Sequence, residues 1–244
     1  MLEKFKYSNK PEWFQSILNL PYYSKECPPI HADGVDYIVQ DGFKFYPRGP
    51  LTVFSSVYKN TWFDLNTLST DNWTFLDIGA CIGTVAIPMA QKFKKVIAIE
   101  PIWDRELRDN IDLNNIKNIE VYRQCVGRIW LAHKEVEYAG YRRSTEVVPL
   151  KALIELYKPD YIKCDIEGEE WNTPFEAWLG PEELRIEFHT LRGKEKWCSN
   201  RLVDFVFFML SNRYLSSVDY SHKEQSLRVA RTIYFSAHKD RRRT

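Results

Sequence analysis

The sequence predicts an α/β fold: a doubly wound, mostly parallel sheet that closes with a C-terminal antiparallel hairpin. Two observations support this prediction. Between residues 74 and 211, short apolar runs alternate with amphipathic stretches, and after residue 214 two β-like runs follow each other without a helix between them. Strands that alternate with helices form a parallel sheet covered on both faces. Two strands joined by a short polar turn instead run antiparallel.

Each predicted strand is a run rich in apolar and β-branched residues, and each predicted helix has apolar residues three or four positions apart. The parallel strands are expected at Thr74–Asp77, Lys95–Glu100, Ile119–Tyr122, Tyr161–Asp165 and Leu184–Phe188. The helices are expected at Thr84–Lys92, Asp104–Asn114, Leu150–Tyr157, Trp171–Trp178 and Asn200–Ser211. The closing hairpin is expected at Tyr214–Val218 and Leu227–Phe235.

The first seventy residues differ in pattern, with several prolines and short β-like runs. Asp41-Gly42 separates two such runs, 35–39 and 43–46, and predicts a hairpin. Thr52–Tyr58 is compatible with a further strand or with the start of a helix. We therefore expect a small N-terminal extension at 1–70, the main domain at 71–238 and a basic tail at 239–244.

Composition narrows the classes of function. The net charge of +1 provides no overall field that would attract nucleic acid. The five cysteines form no CxxC pair and are too few for a disulfide framework. The N-terminus lacks the apolar run of a signal peptide, and no segment reaches the ~20 apolar residues of a membrane span. These features predict a cytoplasmic protein without membrane partners.

A loop of small residues follows the first strand, in the segment TFLDIGACIGT. Gly79 and Gly83 have GxxxG spacing, which differs from the GxGxxG of dinucleotide-binding loops. A dinucleotide places its pyrophosphate at the helix N-terminus, where the carboxylate of Asp77 would repel it. The same carboxylate would attract an amino or sulfonium group. We therefore expect the loop to bind S-adenosylmethionine.

The second strand ends in Glu100, which lies 23 positions after Asp77. This is near the ~20 positions expected for an acid that accepts hydrogen bonds from ribose hydroxyls. The segment 124–127 after the third strand is expected beside the adenine, with Val126 and Ile102 on its ring faces. The predicted cofactor contacts are Asp77, Gly79, Ala80, Cys81, Gly83, Glu100, Pro101, Ile102, Cys125, Val126 and Asp165.

Polar side chains also end the next two strands. Asp165 and Glu167 follow the fourth strand, while Glu187 and His189 end the fifth. If the acceptor is an alcohol, its proton must leave during methyl transfer, which requires a base or a metal. His189 is the first candidate for the base because its ordinary pKa is near ~6.5. Asp165 would orient His189, bind the acceptor or contact the methionine amine. The predicted catalytic residues are His189, Asp165 and Glu167.

Two other interpretations of these side chains stay open. In the first, they bind a divalent cation such as Mg²⁺ or Mn²⁺. Its ligands would be Asp165, Glu167, Glu187 and His189. In the second, Glu167 and Glu187 form structural salt bridges with Lys163, Arg185 or other basic residues.

Several motifs resemble the FkbM-type S-adenosylmethionine-dependent methyltransferases. They are DIGACIGT, VIAIEP, NIDLNN and, most specifically, KCDIEGEE at 163–170, which is similar to that family's KxDxEGxE signature. The resemblance covers residues 73–189, about half the chain. It implies a class I methyltransferase (Rossmann-like) fold and O-methylation of a sugar, lipid or other small-molecule hydroxyl. The family usually has Asn where this chain has Cys81, and Asp where it has Lys151.

Two alternative functions remain compatible with the sequence. The basic tail and the abundant aromatic residues permit an RNA or protein methyltransferase of the same fold. A non-catalytic interaction domain with a degenerate pocket is the second alternative. The retention of Asp77, Gly79, Gly83 and Glu100 argues against a degenerate pocket. A small-molecule or glycan hydroxyl is thus the expected acceptor.

Overall fold

The structure is a computed structural model that describes residues 30–32, 35–40, 42–46, 48–49, 71–138, 140–189, 191, 194–220 and 232–240. The strands in these ranges are β1 (Ile30–Ala32), β2 (Val35–Gln40), β3 (Phe43–Phe45), β4 (Thr74–Ile78), β5 (Lys95–Ile99), β6 (Ile119–Tyr122), β7 (Gln124–Gly127), β8 (Leu131–Tyr138), β9 (Tyr141–Pro149), β10 (Tyr161–Cys164), β11 (Glu183–His189), β12 (Tyr214–Tyr220) and β13 (Thr232–Lys239). The α-helices are α1 (Ala86–Met89), α2 (Asp104–Leu113), α3 (Leu150–Tyr157) and α4 (Glu195–Ser211). No helix in the described ranges is long and apolar enough to cross a membrane.

Seven strands form the central sheet, in the order β12-β13-β11-β10-β4-β5-β6. Five neighbouring strands of this sheet run parallel: β11, β10, β4, β5 and β6. Strand β13 pairs antiparallel with both β11 and β12. The chain moves outward from β4 through β5 to β6 and then returns to β10 on the other side of β4. This topology is the class I methyltransferase fold that the sequence predicts, with the switch of direction between β4 and β10.

Two apolar clusters cover the two faces of this sheet, as expected for a doubly wound fold. One cluster contains Phe75, Phe93 and Tyr161, whose rings contact one another with centroids 5.0–5.8 Å apart. The other contains Phe205 of α4, which packs on Phe235 with the ring centroids 5.0 Å apart. Both faces of the sheet are therefore buried, and the carboxyl ends of its parallel strands are left for ligand binding.

Some predicted elements differ from the structure. The first helix is only Ala86–Met89, shorter than the predicted 84–92. The predicted helix 171–178 is replaced by two 3₁₀ turns, Glu169–Asn172 and Phe175–Trp178. Pro174 lies between them, and proline cannot donate the hydrogen bond that would continue a helix. The last strand is Thr232–Lys239, so Lys239 belongs to the sheet; the segment 221–231 lies outside the described residues.

A second sheet, with the order β7-β9-β8, was not predicted. Its strand β7 pairs parallel with β9, and β8 pairs antiparallel with β9 through a hairpin that turns at Gly140. The hairpin occupies the polar stretch between β7 and α3. It extends the fold above the carboxyl ends of the central strands.

The described part of the N-terminal region forms the sheet β1-β2-β3, with antiparallel pairs that match the hairpin predicted around Gly42. Two asparagines at the C-terminal end of α2, Asn110 within the helix and Asn114 just after it, hydrogen-bond to the chain at and after β3. Asn110 Oδ1 accepts a hydrogen bond from Tyr46 N at 2.8 Å, and Asn114 Oδ1 accepts one from Lys44 N at 2.8 Å. Phe45 is fully buried in the same cluster as α2. The predicted segment 52–58 lies outside the described residues.

Candidate cofactor and acceptor site

A cavity of about 270 Å³ lies at the carboxyl ends of β4, β5 and β10, beside the switch of strand direction. This is where open α/β sheets bind ligands. Strand β7 and part of the hairpin strand β8 also line it. Among the predicted cofactor contacts, the cavity is lined by Gly79, Cys81, Glu100, Pro101, Ile102, Cys125, Val126 and Asp165.

Gly79 is required by the protein's own backbone. A Cβ atom at this position would lie 1.8 Å from the carbonyl oxygen of Asp165, and the residue has a φ of +76°. The sequence predicts that this glycine contacts the cofactor. The structure adds a second cause, the close approach of the segment after β10, so any side chain here would separate β10 from the first loop.

Glu100 organises the floor of the cavity. Its Oε2 accepts a hydrogen bond from Cys81 N at 2.7 Å, and its Oε1 accepts bonds from Ile102 N at 2.7 Å and Trp103 N at 3.0 Å. Burial raises the pKa of Glu100, while these three amides oppose the rise. A carboxylate has about four acceptor positions, so about one remains for a ligand hydroxyl.

Asp77 does not line the cavity, so its predicted contact with the cofactor stays a prediction. Its carboxylate is fully buried, and Oδ1 lies 3.2 Å from Nζ of Lys163, whose side chain is also buried. Lys163 Nζ donates a hydrogen bond to the carbonyl oxygen of Gly79 at 2.8 Å. Burial raises the pKa of Asp77, and Lys163 opposes that rise. Because Lys163 neutralises this acid, the carboxylate of Asp77 would attract a sulfonium only weakly.

Ala80 and Gly83 also lie outside the cavity lining. A Cβ on Gly83 would contact Leu107 Cδ1 at 2.6 Å and Ile87 Cδ1 at 2.9 Å, so this glycine lets the loop pack between helices α1 and α2. Cys81 does line the cavity and has a φ of +51°. Asn is one of the few residues that readily adopt this left-handed region, which gives a backbone reason for the Asn of the FkbM pattern.

Strand β8 forms the roof of the cavity through residues 134–138, which the sequence analysis missed. Two ion pairs hold the hairpin in place. Lys134 Nζ lies 2.6 Å from Glu169 Oε1, and Arg143 Nη1 lies 2.8 Å from Asp104 Oδ1. The alternation of apolar and polar residues in HKEVEY and STEVV, with Gly140 between them, was the available signal for two strands.

Four carboxylates surround His189 at the rim of the cavity. Nε2 lies 3.4 Å from Glu167 Oε2 and 3.7 Å from Asp165 Oδ1. Nε2 is also 3.7 Å from Glu187 Oε1, and Nδ1 is 3.5 Å from Glu170 Oε1. Three of these acids are predicted beside His189 from the sequence, and Glu170 is not. The available signal for Glu170 was the last Glu of the KCDIEGEE motif.

The predicted role of His189 as a general base stays a prediction, and the acids around it oppose that role in the ligand-free protein. Burial lowers the pKa of His189, but the interaction with Glu170 and the charges of Asp165 and Glu167 outweigh it and raise the pKa to about 10. A protonated imidazole has no lone pair that can accept a proton. Burial raises the pKa of Glu187 to about 8, so this carboxylate titrates closer to neutral pH.

Among the described residues, neither Lys163 nor Arg185 forms the expected ion pair with Glu167 or Glu187. Lys163 pairs with Asp77 instead, and the pairs that Glu167 and Glu187 make among the described residues are with His189. Burial raises the pKa of Glu167 as well. The rim is therefore an acidic group around one imidazole, and the basic residues named as partners do not neutralise it.

No family model matches the chain. A relative described as a probable ribosomal RNA small subunit methyltransferase A, from Methanosphaera stadtmanae, is 37% identical over 103 residues. The match covers 38% of this chain and 38% of that protein, so the chain spans about two-fifths of its length. The FkbM resemblance finds no support in these comparisons and stays a prediction.

Solved structures with similar folds include two methyltransferases. A precorrin-6y C5,15-methyltransferase from Geobacter metallireducens has a TM-score of 0.48 at 16% identity and covers 83% of this chain and 96% of that one. An rRNA methylase from Streptococcus thermophilus has a TM-score of 0.48 at 10% identity, covering 72% and 92%.

Proposed function

We propose that the protein is an S-adenosylmethionine-dependent methyltransferase. The observation that carries the proposal is the cavity at the switch of the class I methyltransferase sheet, bounded by Gly79 and by Glu100. Glu100 is bonded to three backbone amides and keeps an acceptor position for ribose. The partial relative at 37% identity, described as a probable methyltransferase, supports the same activity.

In this proposal the cofactor lies along the cavity from β7 to β10. Its adenine packs between Ile102 and Val126, both of which line the cavity. Its ribose bonds Glu100, and its methionine part follows the Gly79 loop. The sulfonium methyl then faces the rim at Asp165, which lines the cavity and lies beside His189. Positioning the acceptor in line with the methyl group would supply much of the acceleration.

We place RNA first as the acceptor, in contrast to the small-molecule hydroxyl expected from the sequence. The relative is described as a ribosomal RNA methyltransferase. The turn 128–130 joins β7 and β8, two strands that line the cavity, and it exposes Arg128 and Trp130, the latter 63% exposed. Exposed aromatic rings beside arginine stack with unpaired RNA bases.

A hydroxyl on a sugar, lipid or other small molecule is the second candidate. The acidic rim favours it, because Asp165 and Glu167 line the cavity and would repel a phosphate backbone. These carboxylates would also accept a hydrogen bond from a hydroxyl. The two candidate acceptors can be distinguished by which molecule receives the labelled methyl group.

Incubation with S-adenosylmethionine labelled in its methyl group, together with total RNA and a cell extract depleted of RNA, tests the proposal. We expect label in RNA, and a strong decrease when Arg128 and Trp130 are both changed to Ala. Because phosphate contacts release counterions, the RNA reaction should also weaken as salt rises. Label only in the RNA-free extract would favour the second candidate. The absence of both label and cofactor binding would refute the methyltransferase proposal.

A further inference from the structure

Three buried side-chain atoms at the rim, each of which could coordinate a metal ion, lack hydrogen-bond partners in the described part of the chain. They are Asp165 Oδ1, Glu170 Oε2 and His189 Nδ1. One ligand atom from each of these residues lies within 4.8 Å of the others. We propose that Asp165, Glu170 and His189 form a binding site for a divalent cation of the Mn²⁺ type.

Glu170 distinguishes this group from an ordinary acidic surface patch. Glu170 is only 2% exposed, and its Oε1 accepts a hydrogen bond from Ile166 N at 2.8 Å. That bond fixes the carboxylate while Oε2 stays unpartnered. Leaving a buried charged atom unsatisfied is costly unless a ligand or an ion completes its interactions. A cation would satisfy it together with the other two donors.

The charges around the group also call for a cation. Four carboxylates approach one imidazole, and Lys163, the nearby ammonium group, pairs with Asp77. A bound divalent ion would replace the imidazole proton as their counter-charge. Glu167 and Glu187, two ligands of the set predicted from sequence, would then act from outside the first coordination sphere.

Donor type and spacing fit Mn²⁺. Carboxylate oxygens suit Mg²⁺ and Mn²⁺, whereas imidazole favours transition metals, so a mixed set of two carboxylates and one imidazole favours Mn²⁺ over Mg²⁺. Opposite ligands of an octahedral ion with bonds of ~2.1 Å lie about 4.2 Å apart. The three ligand atoms lie within 4.8 Å of one another, so they would move closer together when the ion binds. The remaining positions would face the cavity that Asp165 lines.

The role of the ion rests on the proposed methyltransferase function. An acceptor hydroxyl bound to the ion would lose its proton more readily, and the carboxylate of Glu167, which lines the cavity, would accept that proton. The acceptor oxygen would then form a bond to the methyl carbon as the carbon–sulfur bond breaks. The electron pair of that bond stays on sulfur, which leaves neutral S-adenosylhomocysteine.

Electron paramagnetic resonance of Mn²⁺ added to the metal-free full chain tests the site, because binding removes the six-line signal of the free ion. We expect saturable binding of one ion per chain. Glu170→Gln keeps the oxygen that accepts from Ile166 and should weaken binding at least tenfold; Asp165→Asn, at a less buried position, should do the same. Glu187→Gln removes one charge from the same rim without removing a proposed ligand, so it should weaken binding less.

Two outcomes would overturn the site. One is the absence of saturable Mn²⁺ binding by folded protein. The other is an equal loss in Glu170→Gln and Glu187→Gln, which would indicate general electrostatic attraction. Titration with S-adenosylmethionine in the absence of metal separates the two proposals. A chain that binds the cofactor but not Mn²⁺ refutes the cation site alone, and one that binds Mn²⁺ but not the cofactor refutes the methyltransferase function.

Discussion

The substitution Glu100→Gln measures how much the cavity floor depends on one carboxylate. Glu100 accepts three backbone hydrogen bonds of 2.7–3.0 Å with its two oxygens. Gln keeps one acceptor oxygen, but its amide NH₂ group replaces the other oxygen and cannot accept a hydrogen bond. At least one of the three buried backbone N–H groups therefore loses its partner. A buried donor left unsatisfied costs about 1–3 kcal/mol, and bonds to charged groups are the stronger kind. Since the neutral amide also avoids the cost of a buried charge, we expect a net loss of about 2 kcal/mol.

Urea denaturation of the wild type and of Glu100→Gln measures this loss as a change in the free energy of unfolding. Glu120→Gln is the matched control, because Glu120 lies on the neighbouring strand β6 with an exposed ion pair to Lys95. Exposed pairs contribute at most about 1 kcal/mol, so the control should change little. We also expect Glu100→Gln to weaken S-adenosylmethionine binding about tenfold or more. Unchanged stability together with unchanged affinity would refute the assigned role of Glu100.

Three further predictions follow from the same region. Gly79→Ala should lower the thermal unfolding midpoint strongly, because its Cβ would lie 1.8 Å from a backbone oxygen; an unchanged midpoint would contradict the packing. Lys163→Met should cost about 3–5 kcal/mol in chemical denaturation by leaving Asp77 buried and unpaired. Adding Asp77→Asn should recover much of that loss, and a purely additive double variant would contradict the pairing. The pKa of His189, about 10 in the folded protein, exceeds its ordinary ~6.5. Its stabilisation should therefore be complete below pH ~6.5 and decline through pH ~10. Urea midpoints in His189→Gln should show a weaker decline than in the wild type; equal declines would exclude His189 as the cause.

The parallel sheet and the location of the cavity could be predicted from local patterns. Apolar runs such as 74–78 and 95–99, followed by helices, determine the parallel order, and the polar ends of those strands mark the ligand edge. The roof was missed for a physical reason. Strand β8 carries mostly exposed residues, so its apolar alternation is weak, although it covers the cavity.

The charge state of the candidate site could not be derived from sequence spacing. Asp77 and Lys163 are far apart in sequence, and their pairing depends on the register of β4 against β10, in which these two residues are direct neighbours. The pKa of His189 likewise depends on Glu170, which the turn after β10 brings within 3.5 Å. Sequence spacing places such groups at one edge but does not say which of them neutralise each other.

Isothermal titration calorimetry with S-adenosylmethionine tests the central claim most directly, because the proposed function depends on the cavity binding this cofactor. Val136 lines the roof, and Val136→Trp should fill the space without changing a polar contact. The account predicts saturable binding of one cofactor by the wild type and loss of that binding in folded Val136→Trp. Absence of binding by the wild type, or equal binding by both proteins, would contradict it.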